Sequence, residues 1–184
     1  MSAPVAGRRG RPARAGLAGL GLLAVLSGCA GVEVATICPR LGISEQTGSL
    51  TRFADGGGRG QDNVVWISDI AVADLSCNYR DELGVLMEVN LDIDMVATGG
   101  PRYQGGQADV RYFVAITDLR GNIITREEFE IGIPIGGQGQ GAIREEIWQL
   151  YNLEEGGTGA RYEVWVGFML SDEELQHNRS QQNL

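Results

Sequence analysis

The chain has 184 residues, with 24 aspartates and glutamates against 15 basic residues, and its formal net charge is −9 at pH 7. An acidic chain repels the phosphates of nucleic acids, so we expect no DNA or RNA partner. Every basic residue other than the single histidine is an arginine. The lack of lysine excludes Schiff-base, phosphate-loop and Ser–Lys chemistry.

The first predicted element is a targeting segment. Residues 1–14 carry four arginines and no acid, and residues 15–26, AGLAGLGLLAVL, are apolar and uncharged. A helix of twelve residues is about 18 Å long, which is too short for a hydrocarbon core of about 30 Å. A basic region followed by a short apolar region predicts a signal peptide and not a stable membrane span.

The motif LSGC at 26–29 ends the apolar region and resembles the lipobox of bacterial lipoproteins. In that family the chain is cut before the cysteine, which carries diacylglycerol and an acylated amino group. The resemblance therefore implies a signal peptide at 1–28 and a lipid-modified Cys29. Because Ala30 and not aspartate follows, it also implies sorting to the outer membrane, facing the periplasm. An ordinary signal peptide with an incidental cysteine and a Gram-positive plasma-membrane anchor are the alternatives.

Cleavage before Cys29 leaves a chain with eleven arginines against 24 acids. Residues 29–37 form the predicted lipidated tether. The eight residues between Cys29 and Cys38 extend over at most about 28 Å, so the domain is expected close to its membrane. In an oxidising compartment Cys38 and Cys77 predict one disulfide, closing a loop of about 40 residues. Free thiols or a metal-binding pair are the alternatives.

The rest of the chain predicts β-strands. In LMEVNLDIDMV, 86–96, apolar and polar residues alternate with the period of a strand that has one buried face. Three further segments predict strands. Residues 63–79 are long and rich in valine and isoleucine and predict one bent strand or two, 110–118 are apolar on both faces and predict a central strand, and 161–170 predict the last strong strand. TDLRGNIITREEFEIGIPI, 117–135, predicts a hairpin because its turn contains Asp118, Gly121 and Asn122.

Two segments near the C-terminus needed separate interpretation. AIREEIWQLYNL, 142–153, fits both a helix and a strand, and we interpret it as a strand because the neighbouring segments need a partner. Residues 171–179 predict a short helix, since Ser171 and Glu174 form an S-x-x-E capping box.

The segment RYEVWVGF resembles the penultimate strand of immunoglobulin-like and fibronectin type III-like domains, in which a tyrosine anchors the strand's first residues. The resemblance gives Tyr162 that place and points Val164, Val166 and Phe168 inward. Residues 38–184 are therefore expected to form an all-β, antiparallel immunoglobulin-like sandwich of about seven strands with a C-terminal helix. Together with the lipobox, the chain looks like uncharacterised Gram-negative envelope lipoproteins, which implies no mechanism.

Four residues form the candidate binding face: Asp92, Asp94, Trp148 and Trp165. Carboxylates two residues apart on a strand lie about 6.7 Å apart, which suits calcium binding or glycoside hydrolysis. The favoured interpretation of these two carboxylates is a solvated sheet face whose charges prevent edge-to-edge pairing. The two tryptophans would form an aromatic patch for a glycan or protein if they lie on outward faces of adjacent strands. Core packing is the default interpretation of each tryptophan.

Two further patterns are candidates for a catalytic or cofactor site. GQGQGA, 137–142, matches a dinucleotide-binding fingerprint, but an antiparallel chain favours a glycine turn. His177 is the single histidine and is expected on the surface of the terminal helix. We therefore expect no enzyme activity, no metal and no cofactor beyond the lipid on Cys29. The sequence predicts an envelope lipoprotein that acts as a structural or protein-interaction module, with a glycan- or calcium-binding module as the alternative.

Overall fold

The computed structural model describes residues 37–80, 86–153 and 158–182. The chain divides into two units, Met1–Val34 and Ala35–Leu184, and all described residues belong to the second. The predicted signal peptide and Cys29 lie outside the described residues. Within the described part of the chain, no helix has both the length and the apolar composition needed to cross a membrane.

The described residues form eight strands, one α-helix and two short 3-10 turns. The strands are β1 Arg40–Ile43, β2 Ser49–Phe53, β3 Val64–Tyr79, β4 Leu86–Gly99, β5 Gln107–Asp118, β6 Ile123–Pro134, β7 Gln140–Asn152 and β8 Tyr162–Phe168. The helix α1 spans Asp172–Gln182 and the 3-10 turns span Gln61–Asn63 and Gly159–Arg161. Sheet A has the order β1-β8-β5-β6, and sheet B has the order β2-β3-β4-β7.

The predicted mostly β sandwich with a short C-terminal helix is confirmed, although the strand count is eight and not about seven. The strands that the sequence did not predict are β1 and β2, which have four and five residues and are too short for alternation to be visible. Residues 142–153 lie almost entirely in β7, as the strand interpretation required. β3 is one strand with a register shift between Ile70 and Val72.

The core lies between the two sheets and is built by alternate residues of the long strands. In β4 the five predicted inward residues are all 3% exposed or less: Met87, Val89, Leu91, Ile93 and Met95. In β8 Val164, Val166 and Phe168 are buried, as the resemblance to immunoglobulin-like strands implied. Burying such side chains contributes about 1.5–3 kcal/mol each to folding, so the alternation itself specifies which faces meet.

The helix α1 covers the free edge of β2. The side-chain amide of Asn178 donates to the carbonyl oxygens of Ser49 at 2.7 Å and Gln46 at 2.9 Å. Ser171 and Glu174 form the predicted capping box, in which Glu174 accepts from the Ser171 backbone N–H at 2.8 Å. Polar contacts therefore attach this hydrophilic helix, and they satisfy backbone groups that an edge strand otherwise exposes.

One end of the sandwich, called here the Cys38 end, holds the first described residues, the β5–β6 turn and the start of β8. Cys38 and Cys77 form a disulfide there, with a Cα separation of 5.6 Å. The Tyr79 hydroxyl donates to the carbonyl oxygen of Ile37 and accepts from the backbone N–H of Gly159, both at 2.9 Å. These bonds fix the point at which the chain enters the domain.

Candidate functional site

The outer face of sheet A presents an ordered tryptophan. Trp165 projects outward from β8, and its indole lies over Gly42 of β1, where an added Cβ would come within 2.6 Å of the ring. Its Nε1–H donates to Glu163 at 3.3 Å. A glycine beneath the ring and a hydrogen bond at its edge together hold the indole in one orientation.

A second aromatic side chain, Phe113 of β5, lies beside Trp165 on this face. The guanidinium of Arg126 stands 4.4 Å from the centre of the Phe113 ring, a cation–π geometry. Gly167 makes room for this ring, because an added Cβ there would lie 2.9 Å from it. Ala115 and Thr117 are only 4% and 7% exposed although they point outward, so the larger side chains cover them.

These side chains line a shallow groove of about 690 Å³ across β1, β5, β6 and β8. We call it the Trp165 groove. Its lining is Gly42, Ile43, Ser44, Glu45, Gln46, Phe113, Ala115, Thr117, Ile123, Arg126 and Trp165. Among the described residues, the buried hydroxyl of Thr117 has no hydrogen-bond partner. An apolar surface with a guanidinium beside it suits a ligand that carries both apolar and negatively charged groups.

The predicted aromatic patch of Trp148 and Trp165 is wrong. Trp148 is 55% exposed, but it lies on β7 of sheet B, whereas Trp165 lies on β8 of sheet A. The two strands are not neighbours, so the two indoles face away from opposite sides of the sandwich. Trp148 donates a hydrogen bond to Glu88 of its own sheet. This bond and the ion pair with Arg80 lower the pKa of Glu88.

The interpretation of Asp92 and Asp94 as part of a solvated sheet face agrees with the structure, because both point outward from sheet B and Asp92 is exposed. These charges guard no sheet edge, however, because β4 lies between β3 and β7. Both carboxylate oxygens of Asp94 accept from the guanidinium of Arg144, each at 2.6 Å. These hydrogen bonds hold the pKa of Asp94 below its ordinary value. Asp92 pairs in register with Asp74 and Glu146, so three acids cross sheet B in one row.

The described ranges contain no group of three or more histidine, cysteine or acidic side chains placed to hold a metal ion. The GQGQGA segment forms a tight turn between β6 and β7, in which the Gly139 backbone N–H donates to the Gly136 carbonyl at 2.8 Å. It leads into a strand and not into a helix, which excludes the dinucleotide fingerprint. His177 is partly buried, and its ring packs edge-to-face on Phe53 at 5.1 Å.

Sequence reasoning selected Trp165 but missed its neighbours Phe113, Arg126 and Gly42. The available signal was in 110–118, which is apolar on both faces. A central strand of a sandwich with one solvated face should be polar on its outer side. The outward Phe113 and Ala115 therefore indicate a surface that is made for contact.

Comparison with known proteins returned no similarity: no family model matches the chain, and neither a curated protein nor a solved structure matches it. The function is therefore inferred from the residues and their geometry.

Proposed function

We propose that this protein is an envelope lipoprotein, anchored through an acylated Cys29, whose sandwich binds a protein partner in the Trp165 groove and catalyses no reaction. The observation that carries this proposal is the groove itself. Two aromatic rings and the guanidinium of Arg126 meet on the outer face of sheet A.

The composition of the groove supports a protein partner. Tryptophan and arginine are enriched among the side chains that dominate binding energy at protein interfaces, where they fill central, desolvated pockets. The fixed orientation of Trp165 supports binding further, because little side-chain entropy remains to be lost. The partner is expected to present an apolar side chain to the rings and a carboxylate to Arg126.

The topology supports an immunoglobulin-like arrangement. In that fold, one sheet has A, B and E as neighbours and the other has G, F and C. β3, β4 and β7 would correspond to A, B and E, whereas β8, β5 and β6 would correspond to F, C and C′. β1 stands where G is expected and runs parallel to β8. Tyr162 is buried at the start of β8, the place of the corner tyrosine.

A glycan is the second candidate ligand, and the flat placement of the Trp165 indole over Gly42 favours it, since sugar rings stack on exposed indole faces. We propose no calcium site. Asp94 is engaged on both oxygens by Arg144, and strand positions present too few further oxygens for this ion.

The anchor is tested by Cys29→Ser. Cells labelled with radioactive palmitate are expected to incorporate label into the native chain and none into the variant, because the acylated sulfur is gone. The variant is also expected to leave the membrane fraction, since it retains no acyl chain. Cys77→Ala serves as the matched control and should keep the label. Equal labelling of Cys29→Ser and the native chain would reject the anchor.

The groove is tested by comparing Trp165→Ala with Trp148→Ala in affinity capture from solubilised envelopes. The two indoles are matched because they lie on outer faces of opposite sheets. We expect Trp165→Ala to weaken binding of the captured partner by roughly 30-fold, as for an interface residue that dominates binding. Trp148→Ala should bind as the native chain does. A partner retained equally by both variants would place its site elsewhere, and release by soluble glycan would favour the second candidate.

A further inference from the structure

The Cys38 end of the sandwich is unusually apolar. It holds four of the exposed large apolar side chains among the described residues: Ile37 (50% exposed), Leu119 (57%), Ile123 (61%) and Ile124 (54%). Three of the four belong to the β5–β6 turn and the first residues of β6. A turn at the tip of a hairpin in a water-soluble protein is ordinarily polar, so this composition needs a cause.

The opposite end has the reverse composition. Its loops are ADGGGRGQDN (54–63), GPRYQGG (100–106) and GGQG (136–139), which contain no Val, Leu, Ile or Met. These loops lie together, because the Gly99 backbone N–H donates to Gly139 and the Ile135 backbone N–H donates to Gly106. They therefore lack the exposed leucine and isoleucine side chains that the β5–β6 turn carries.

The β5–β6 turn and the first described residues lie at the same end of the domain. One row of paired residues crosses sheet A from the first strand to the turn: Arg40, Glu163, Thr117 and Ile123. Three strand spacings separate the two ends of this row, a distance of about 14 Å. The eight residues between Cys29 and Cys38 reach at most about 28 Å, so a membrane that held an acylated Cys29 would be within that distance of this end.

Two basic side chains accompany the apolar turn. Arg120 and Arg161 line a cleft of about 470 Å³ with Leu119 and Ile124. The neighbouring Asp118 directs its carboxylate into the turn, where it accepts from the backbone N–H groups of Arg120 at 2.8 Å and Asn122 at 2.9 Å. Guanidinium groups beside apolar side chains suit the boundary between lipid phosphates and acyl chains.

We infer that the β5–β6 turn seats in the bilayer that holds the lipid anchor, with Leu119 and Ile124 among the acyl chains and Arg120 at the headgroup phosphates. This inference rests on the proposed acylation of Cys29. The seated turn adds a second membrane contact to the lipid anchor and fixes the orientation of the sandwich. In this orientation the Trp165 groove lies on the outer face of sheet A, to the side of the domain, and the glycine-rich loops point away from the membrane.

The test uses the full chain, purified after lipoprotein processing and reconstituted in vesicles of phosphatidylethanolamine and phosphatidylglycerol. Leu119→Cys supplies the one reactive thiol, because Cys29 is acylated and Cys38 is bonded to Cys77. An environment-sensitive dye on this thiol is expected to shift its emission to shorter wavelength on reconstitution and to be quenched by nitroxide lipids. Adding Ile124→Asp to the labelled chain should lower the ratio of inserted to water-exposed turn by roughly tenfold.

The matched control is Gly58→Cys, in a loop at the opposite end where an added Cβ meets nothing within 4 Å. Its dye is expected to keep water-like emission without quenching. Mass spectrometry of the N-terminal peptide reports acylation in the same samples. Water-like emission at 119 in an acylated chain would overturn the seated turn and leave the anchor standing. Equal shifts at 119 and 58 would also overturn it, and a chain without acyl mass would reject both proposals.

Discussion

Removing the Cys38–Cys77 disulfide is expected to lower the free energy of unfolding by about 4 kcal/mol, because the bond closes a loop of about 40 residues in the unfolded chain. Cys77 is buried in the core, and Cys38 precedes β1 directly. Urea denaturation of the native chain with and without a reductant measures the difference. The midpoint should fall while the native spectrum in buffer is kept.

Cys38→Ala/Cys77→Ala is the control for this experiment. Its unfolding curve should match that of the reduced native chain and should not respond to the reductant. A reduced chain with the same midpoint as the oxidised one would show that the bond contributes no stability. Loss of all folded structure on reduction would mean that the remaining core is smaller than the burial of β4 and β8 indicates.

Tyr112→Ala is expected to cost about 3–5 kcal/mol of stability, as truncation of a large buried aromatic side chain does. Tyr112 is fully buried on β5, stacks on Phe129 with ring centres 5.1 Å apart, and donates its hydroxyl to Glu145 of β7 at 3.3 Å. It therefore packs in the core and bonds across the two sheets. Chemical denaturation measures the loss.

Tyr112→Phe separates the ring from its hydroxyl. This variant keeps the packing and should cost only about 1 kcal/mol, the net value of one hydrogen bond. Burial, reinforced by Glu145, raises the pKa of Tyr112 above that of an ordinary tyrosine. Above pH about 10 the unfolded chain loses this proton before the folded chain does, so stability falls as the pH rises. Tyr112→Phe should show less of that fall, and an unchanged alkaline profile would contradict the burial of the hydroxyl.

The elements that alternation predicts are the ones with a single buried face. β4 follows its predicted faces because apolar and polar residues alternate along it. β5 is apolar on both faces, and the hairpin of β5 and β6 was predicted from its turn residues instead. The sequence of β7 fitted both a helix and a strand. Its outward positions combine polar side chains with Trp148, and such a mixture also suits a helix. β1 and β2 are too short to carry any period, and their pairing depends on distant residues of β8 and β3.

The candidate site was predictable only in part, because sheet membership is a long-range property. Trp148 and Trp165 are 17 positions apart with one intervening connection, which suggests neighbouring strands, but the chain crosses from one sheet to the other between them. The same limit applies to Gly42 and Trp165, which meet only because β1 pairs with β8. Local residue type can suggest a contact surface, whereas the partners within it follow from topology.

The position of the disulfide has a mechanical consequence for a domain held at its N-terminus. Tension arriving from the tether reaches Cys38 before it reaches β1, whose four residues pair only with β8. The covalent link diverts that load into β3, a strand of 16 residues that pairs with β4 from Trp66 to Tyr79. If a membrane pulled on one side and a bound partner on the other, the long β3–β4 ladder would bear the force, so β1 would not be peeled away.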